Sequence, residues 1–163
     1  MKFLKVAIEK HPVSGMNLEY LEKRNAIAAL FLDQSGEKAL FVKQYRPGFK
    51  GELLEIPAGI MEDDEDPMNT LLRELREETG FEKEDYNFLY IPKKSLILSP
   101  GCSTETLYIF IVQLKDNNIK PKNLKLDDGE ILDNHWIYLN EIEEMTTDFK
   151  TIFSLNLYKT LKK

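Results

Sequence analysis

The chain has 163 residues, enough for one domain whose core needs no disulfide support, which excludes a mini-protein scaffold. With 42% hydrophobic and 31% charged residues, 8 Gly and 7 Pro, it falls among soluble globular chains and outside the disordered and collagen-like classes. Lys and Arg number 22 against 28 Asp and Glu, and the formal net charge of −6 argues against a generally basic nucleic-acid-binding surface.

In chain order, Lys2 and Lys5 have no long apolar stretch behind them, which argues against a cleaved signal peptide. Residues 5–9 and 17–23 read as strands around a turn at 12–15. Residues 25–32 form the next strand; the apolar run 26–32 inside it is far shorter than the ~20 residues of a membrane-spanning helix. A turn at 33–36 leads into a strand at 38–44. Asp66 as N-cap and Pro67 at the first helical position start a helix that Gly80 stops. Met68, Leu71, Leu72 and Leu75 follow i, i+3, i+4, i+7, so one stripe of it faces a core. Strands at 95–98, 107–112 and 134–139 follow, with a polar loop through Asn117 and Asn118, and helical stretches at 141–145 and 149–161 close the chain. Neither a repeat nor a linker divides it, so residues 1–163 read as one domain. His11 and His135 lack metal-ligand spacing, and the lone Cys102 cannot form an internal disulfide, which together with the missing leader points to the cytoplasm.

The charge is localised. Residues 59–81 hold eight acidic side chains and two basic ones, while the rest of the chain carries 20 of each sign, so the whole excess lies in one loop and one helix. A solvated acidic helix is the plain reading of such a run. Its order says more: Glu74 and Glu78 are one helical turn apart at the edge of the apolar stripe, and Glu77 lies three residues from Glu74. Such close carboxylates repel one another unless something positive sits among them, and clustered oxygen ligands favour a hard ion such as Mg²⁺ or Mn²⁺.

Gly59, five residues, Glu65, seven residues, Arg73-Glu74-Leu75, one residue, Glu77-Glu78, one residue and Gly80-Phe81 together resemble the Nudix box at every fixed position. Gln44-Tyr45-Arg46, the run Glu52 to Gly59 and the loop Ser99-Pro100-Gly101-Cys102-Ser103-Thr104-Glu105 are similar to segments of the ADP-ribose pyrophosphatase subfamily. The resemblance implies a Nudix fold, a mixed β-sheet between helices, with an N-terminal hairpin or small antiparallel sheet over residues 1–23 that helps build a homodimer. By its sequence alone the same segment equally suits an ordinary edge hairpin.

The resemblance also implies metal-dependent hydrolysis of the diphosphate bond of ADP-ribose or a related nucleoside diphosphate sugar, giving AMP and ribose 5-phosphate; the charge balance and the short apolar runs give no reason to expect a nucleic-acid or membrane partner. It assigns Glu74, Glu78 and the Ala58 carbonyl as metal ligands, and Glu77 as a further ligand or an orienter of metal-bound water. Glu65 pairs with Arg73 to tie the loop to the helix, while Gly59 and Gly80 have backbone roles. Glu105 is the candidate general base, Glu130 competes with it, and either could be a plain surface acid. Arg46 is a candidate for phosphate or ribose contact, alongside Gln44 and Tyr45, against a surface ion pair as its alternative. Tyr45, Phe49 and Trp136 could stack on a base or belong to the core. Rival functions are hydrolysis of GDP-mannose or a dinucleoside polyphosphate, and a sensing module that binds its nucleotide without cleaving it.

Overall fold

Residues 5–124 and 133–163 are described by the structure, a computed structural model. Strands β1 (Lys5–Lys10) and β2 (Asn17–Glu22) pair antiparallel as a two-stranded sheet of their own. The central sheet is built on β3 (Ala26–Leu32), β4 (Lys38–Arg46), β7 (Tyr86–Tyr90), β9 (Thr106–Leu114) and β10 (Asp133–Tyr138), in the order β10-β4-β3-β9-β7, with β3 and β9 parallel. Three short strands attach to it: β5 (Gly51–Glu55) to β4, β6 (Ala58–Ile60) to β3 and β8 (Leu96–Ile97) to β9.

Period-two alternation divides the core. Ile27, Ala29 and Phe31 of β3, with Phe110 and Val112 of β9, meet Leu71 and Leu75 on one face of the sheet. Ala28, Leu30 and Leu32, with Ile109 and Ile111, meet Ile142, Leu155 and Tyr158 on the other. The first set belongs to helix α1 (Pro67–Glu74) and its continuation, the second to α2 (Ile142–Met145) and α3 (Phe149–Leu161), giving the expected mixed sheet between helices.

Where β3 and β4 part company decides where the cleft opens. They pair only at Phe31–Leu40 and Leu32–Ala39; beyond that β4 turns to pair with β5, and β3 takes β6 along its free edge. Pro47, which has no N–H to donate, follows β4, and a turn containing Lys50 at φ 59° returns the chain into β5. Strands β5, β6 and β7 have no counterpart in the elements read from sequence, because each is short; β5 folds back on the neighbouring β4, while β6 and β7 owe their pairing to partners far along the chain.

The predicted helix starts and stops as expected but is not α-helical throughout. Asp66 accepts a hydrogen bond from the Met68 N–H at 2.8 Å and Pro67 is the first helical residue. From Leu75 to Thr79 the chain widens into a π-helical turn, ending at Gly80 with φ 74°. A Cβ on Gly80 would also overlap the Lys122 carbonyl, so both conformation and space demand glycine. The widened turn is held from outside: Asn134 Nδ2 donates to the Glu78 carbonyl at 2.8 Å.

Candidate active site

A cleft of about 890 Å³ lies between the end of the acidic helix, the β5–β6 segment, the loop before β9 and the N-terminus of α3. Its wall includes Gln44, Arg46, Ala58, Gly59, Arg73, Glu74, Glu78 and Glu105 among the residues singled out from sequence. Glu74 and Glu78 converge on the same short piece of backbone. Glu78 is buried and its Oε2 accepts the Ala58 N–H at 3.1 Å. Glu74 lies against Gly59 so closely that a Cβ there would overlap its Cγ, Cδ and Oε1. Glycine is therefore required at 59 by the approach of the Glu74 carboxylate.

Arg73 organises this corner. Its Nη1 donates to Glu74 Oε1 at 2.7 Å and to Glu77 Oε2 at 3.3 Å, its Nε and Nη2 engage both oxygens of Glu65 at 3.3 and 3.1 Å, and Nη2 also reaches the Ile60 carbonyl at 3.2 Å. The hydrogen bonds from Arg73 hold the Glu65 carboxyl well below the usual range, at about 2, and Glu65 in return raises the guanidinium further above its ordinary value. Glu65 also accepts the Glu62 N–H at 3.0 Å, so loop and helix are tied as the resemblance implies.

Glu77 points elsewhere. It lines a second, smaller depression with Leu72, Arg73, Arg76 and Glu82, because three residues along the helix carry it off the edge shared by Glu74 and Glu78. Among the described residues no three His, Cys, Asp or Glu side chains stand close enough together to hold an ion. The donor set at the cleft is two carboxylates, Glu74 and Glu78, beside the Ala58–Gly59 backbone. Two hard, anionic oxygen donors beside a main-chain segment fit a divalent ion such as Mg²⁺, which keeps several waters of its own.

On the facing wall, Arg46 makes a bidentate pair with Glu55, Nε to Oε1 at 2.6 Å and Nη2 to Oε2 at 2.8 Å. Glu55, 1% exposed, also accepts from Lys150 Nζ at 2.9 Å, and Lys150 meets Asp148 at 2.8 Å. Burial opposes ionisation of Glu55, but the hydrogen bonds and charges of Arg46 and Lys150 outweigh it and hold the carboxyl below its ordinary range. Asp148 caps α3 through the Thr151 N–H at 2.9 Å, and Thr151 Oγ1 in turn accepts the Ile56 N–H at 3.1 Å. This network fixes β5 and the N-terminus of α3 to each other. Sequence reasoning did not single out Glu55, Asp148, Phe149 or Lys150; an acid inside the apolar run Leu53 to Pro57 was the available signal.

Strand alternation separates Tyr45 from its neighbours. Gln44 and Arg46 line the cleft, while Tyr45 is 63% exposed and outside it. Phe49 is exposed near Gly51, and Trp136 packs edge-on against Phe31 and Phe81. Among the described residues the aromatic that does reach the cleft is Phe149, 57% exposed. Glu105 stands at the rim in an ion pair with Lys23, and Cys102 is exposed in the loop before it. Glu130 lies outside the described residues.

The family model described as NUDIX domain matches residues 22–155. The chain is 33% identical over 152 residues to the methanol dehydrogenase activator of Bacillus methanolicus, covering 88% of this chain and 78% of that protein. It is 30% identical over 115 residues to the ADP-ribose pyrophosphatase of Bacillus subtilis (strain 168), covering 71% of this chain and little more than half, 58%, of the relative. To a GDP-mannose pyrophosphatase of Escherichia coli O139:H28 it is 26% identical over 152 residues, 87% of this chain and 77% of the relative. The intact box, the mixed sheet between helices and this family match agree, and the chain belongs to the Nudix hydrolase family.

Proposed function

We propose that this protein hydrolyses the diphosphate bridge of a nucleoside diphosphate sugar, with ADP-ribose giving AMP and ribose 5-phosphate, in the presence of Mg²⁺ or Mn²⁺. The observation that carries this reading is the convergence of Glu74 and Glu78 on the Ala58–Gly59 backbone in a cleft whose rim also holds cations. Water adds to one phosphorus as the bridging P–O bond breaks, its proton passes to a carboxylate, and the departing oxygen leaves on the second phosphate. Glu105, at the rim, is the carboxylate we assign to that proton. A divalent ion at Glu74 and Glu78 would neutralise diphosphate charge and lower the pKa of bound water. Arg73 keeps Glu74 aimed into the cleft, and the Glu55 network holds the opposite wall rigid. Glu77 acts as a positioning group through Arg73.

The likeness to an ADP-ribose pyrophosphatase supports the choice of substrate, and the likeness to a GDP-mannose pyrophosphatase keeps GDP-mannose beside it. Product analysis against ADP-ribose, ADP-mannose, GDP-mannose and diadenosine polyphosphates with Mg²⁺ tests the reading. AMP and ribose 5-phosphate are expected; intact ADP-ribose with another nucleotide cleaved would overturn the subfamily assignment. Val6 and Ile8, exposed on one face of the N-terminal hairpin, support a homodimer, which light scattering checks. The single cysteine favours a cytoplasmic setting.

The likeness to a methanol dehydrogenase activator favours a second reading, stimulation of an alcohol dehydrogenase. Adding the protein to methanol dehydrogenase and following the rate tests it; an unchanged rate counts against it.

A further inference from the structure

Among the described residues each cation lining the cleft is already paired with a carboxylate, so an incoming diphosphate has to take one away from its partner. The pairs differ in what that exchange would leave behind. Arg73 is shared among Glu65, Glu74 and Glu77, and losing it would leave all three carboxylates without their common counter-charge. Withdrawing Arg46 or Lys150 would take a counter-charge from Glu55, whose side chain is only 2% exposed. Arg24 pairs at 3.3 Å with Asp63, an acid 83% exposed that does not line the cleft, so releasing Arg24 strands no buried charge but frees no carboxylate of the site. Lys23 remains. Its side chain is 34% exposed, that of its partner Glu105 is 23% exposed, and both line the cleft, so either can be rehydrated or re-paired without stranding a buried charge.

The backbone around this pair is held in place by bonds of its own. Leu21 N–H donates to the Cys102 carbonyl at 2.9 Å and Thr104 N–H to the Leu21 carbonyl at 3.0 Å. Thr104 Oγ1 accepts the Lys23 N–H and donates to the Lys23 carbonyl, both at 2.9 Å. These bonds zip the end of β2 to the loop 99–105 and set Lys23 opposite Glu105 whether or not their own ion pair is made.

We infer that Lys23 is the cation this cleft offers to the substrate's diphosphate, and that its transfer from Glu105 to phosphate oxygen is what frees the Glu105 carboxylate to face water. This rests on the proposed diphosphate hydrolysis and deepens it: one proton-accepting group stays masked until an anion of the right chemistry arrives. Glu105 and the diphosphate compete for a single ammonium, so removing the competitor strengthens anion binding and removing Lys23 abolishes that gain.

Calorimetric titration with methylenediphosphonate, a diphosphate that water does not cleave, reads the exchange without turnover. Lys23→Met is expected to weaken binding about tenfold to a hundredfold, the range of a lost charge-assisted hydrogen bond, and Lys23→Arg to restore most of it. Glu105→Gln is expected to tighten binding severalfold in the native background and hardly at all beside Lys23→Met. Lys5→Met, which removes the same charge from the exposed Lys5–Glu22 pair, is expected to change nothing. Native-like binding by Lys23→Met overturns the inference, as does equal tightening by Glu105→Gln in both backgrounds, which would be plain charge repulsion. The substrate panel judges the reaction itself: a wild-type protein that cleaves none of it overturns the proposed function, while the titration still decides the place of Lys23.

Discussion

Replacing Gly59 by Ala asks whether the position of Glu74, as distinct from its presence, controls activity. The added methyl would overlap the Glu74 Cγ, Cδ and Oε1, and the carboxyl has to move by more than an ångström before ordinary contact of at least 3.4 Å is restored. That movement also breaks the 2.7 Å bond from Arg73 Nη1. A displacement of about 1 Å at a reacting site costs about 10²-fold in rate, so kcat/KM for nucleotide-sugar hydrolysis is expected to fall about a hundredfold or more. Stability should hardly change: Gly59 sits in β6 without a positive φ, and removing glycine's backbone entropy contributes about 0.5–1 kcal/mol in the variant's favour, offsetting local strain. Initial rates with Mg²⁺ and a thermal melt on the same preparation separate the two quantities. The reasoning is refuted by native kcat/KM in Gly59→Ala, or by a loss that persists undiminished when the substitution is added to Glu74→Gln, where no carboxylate remains to displace.

Glu78→Gln is expected to abolish metal-dependent turnover while far-ultraviolet circular dichroism stays native, because the amide can still accept the Ala58 N–H but carries no charge; full activity in that variant removes Glu78 from the mechanism. Glu55→Gln should cost about 3 kcal/mol at neutral pH, since Arg46 and Lys150 lose a buried counter-charge. The folded Glu55 carboxyl lies below its unfolded value of 4.5, so its stabilisation is present above pH 4.5 and fades as pH falls through the folded value; urea midpoints between pH 7 and 3 should show the variant losing less than the native protein over that window. Gly80→Ala combines a left-handed backbone with overlap on the Lys122 carbonyl and should lower stability by about 1–3 kcal/mol, a melting temperature some 4–8 °C lower for a mid-range loss, without a comparable effect on kcat.

The box was legible because its spacing is local. Asp66, Pro67 and Gly80 mark the helix ends, the leucine stripe marks the buried face, and Glu74 and Glu78 follow as a pair on its edge. Helical spacing could not show that Leu75 to Thr79 widen into a π-turn, because that conformation is secured by Asn134, over fifty residues away. Tyr45 resembled its neighbours as a ligand candidate until the pleat of β4 set it on the opposite side from Gln44 and Arg46.

Sequence alone determined the chemistry on offer: the acidic excess confined to one loop and helix, and the capped helix that presents it. These depend on residues within one or two turns of each other, and short-range geometry is nearly the same in any fold. The tertiary structure decided which groups share a cleft. Only the divergence of β3 from β4 brings Glu55, Asp148, Phe149 and Lys150 round to face Glu74 and Glu78, and only the zip between β2 and the loop 99–105 sets Lys23 against Glu105. Pairings across eighty or more residues depend on sheet register and helix docking, which leave no periodic mark in the chain.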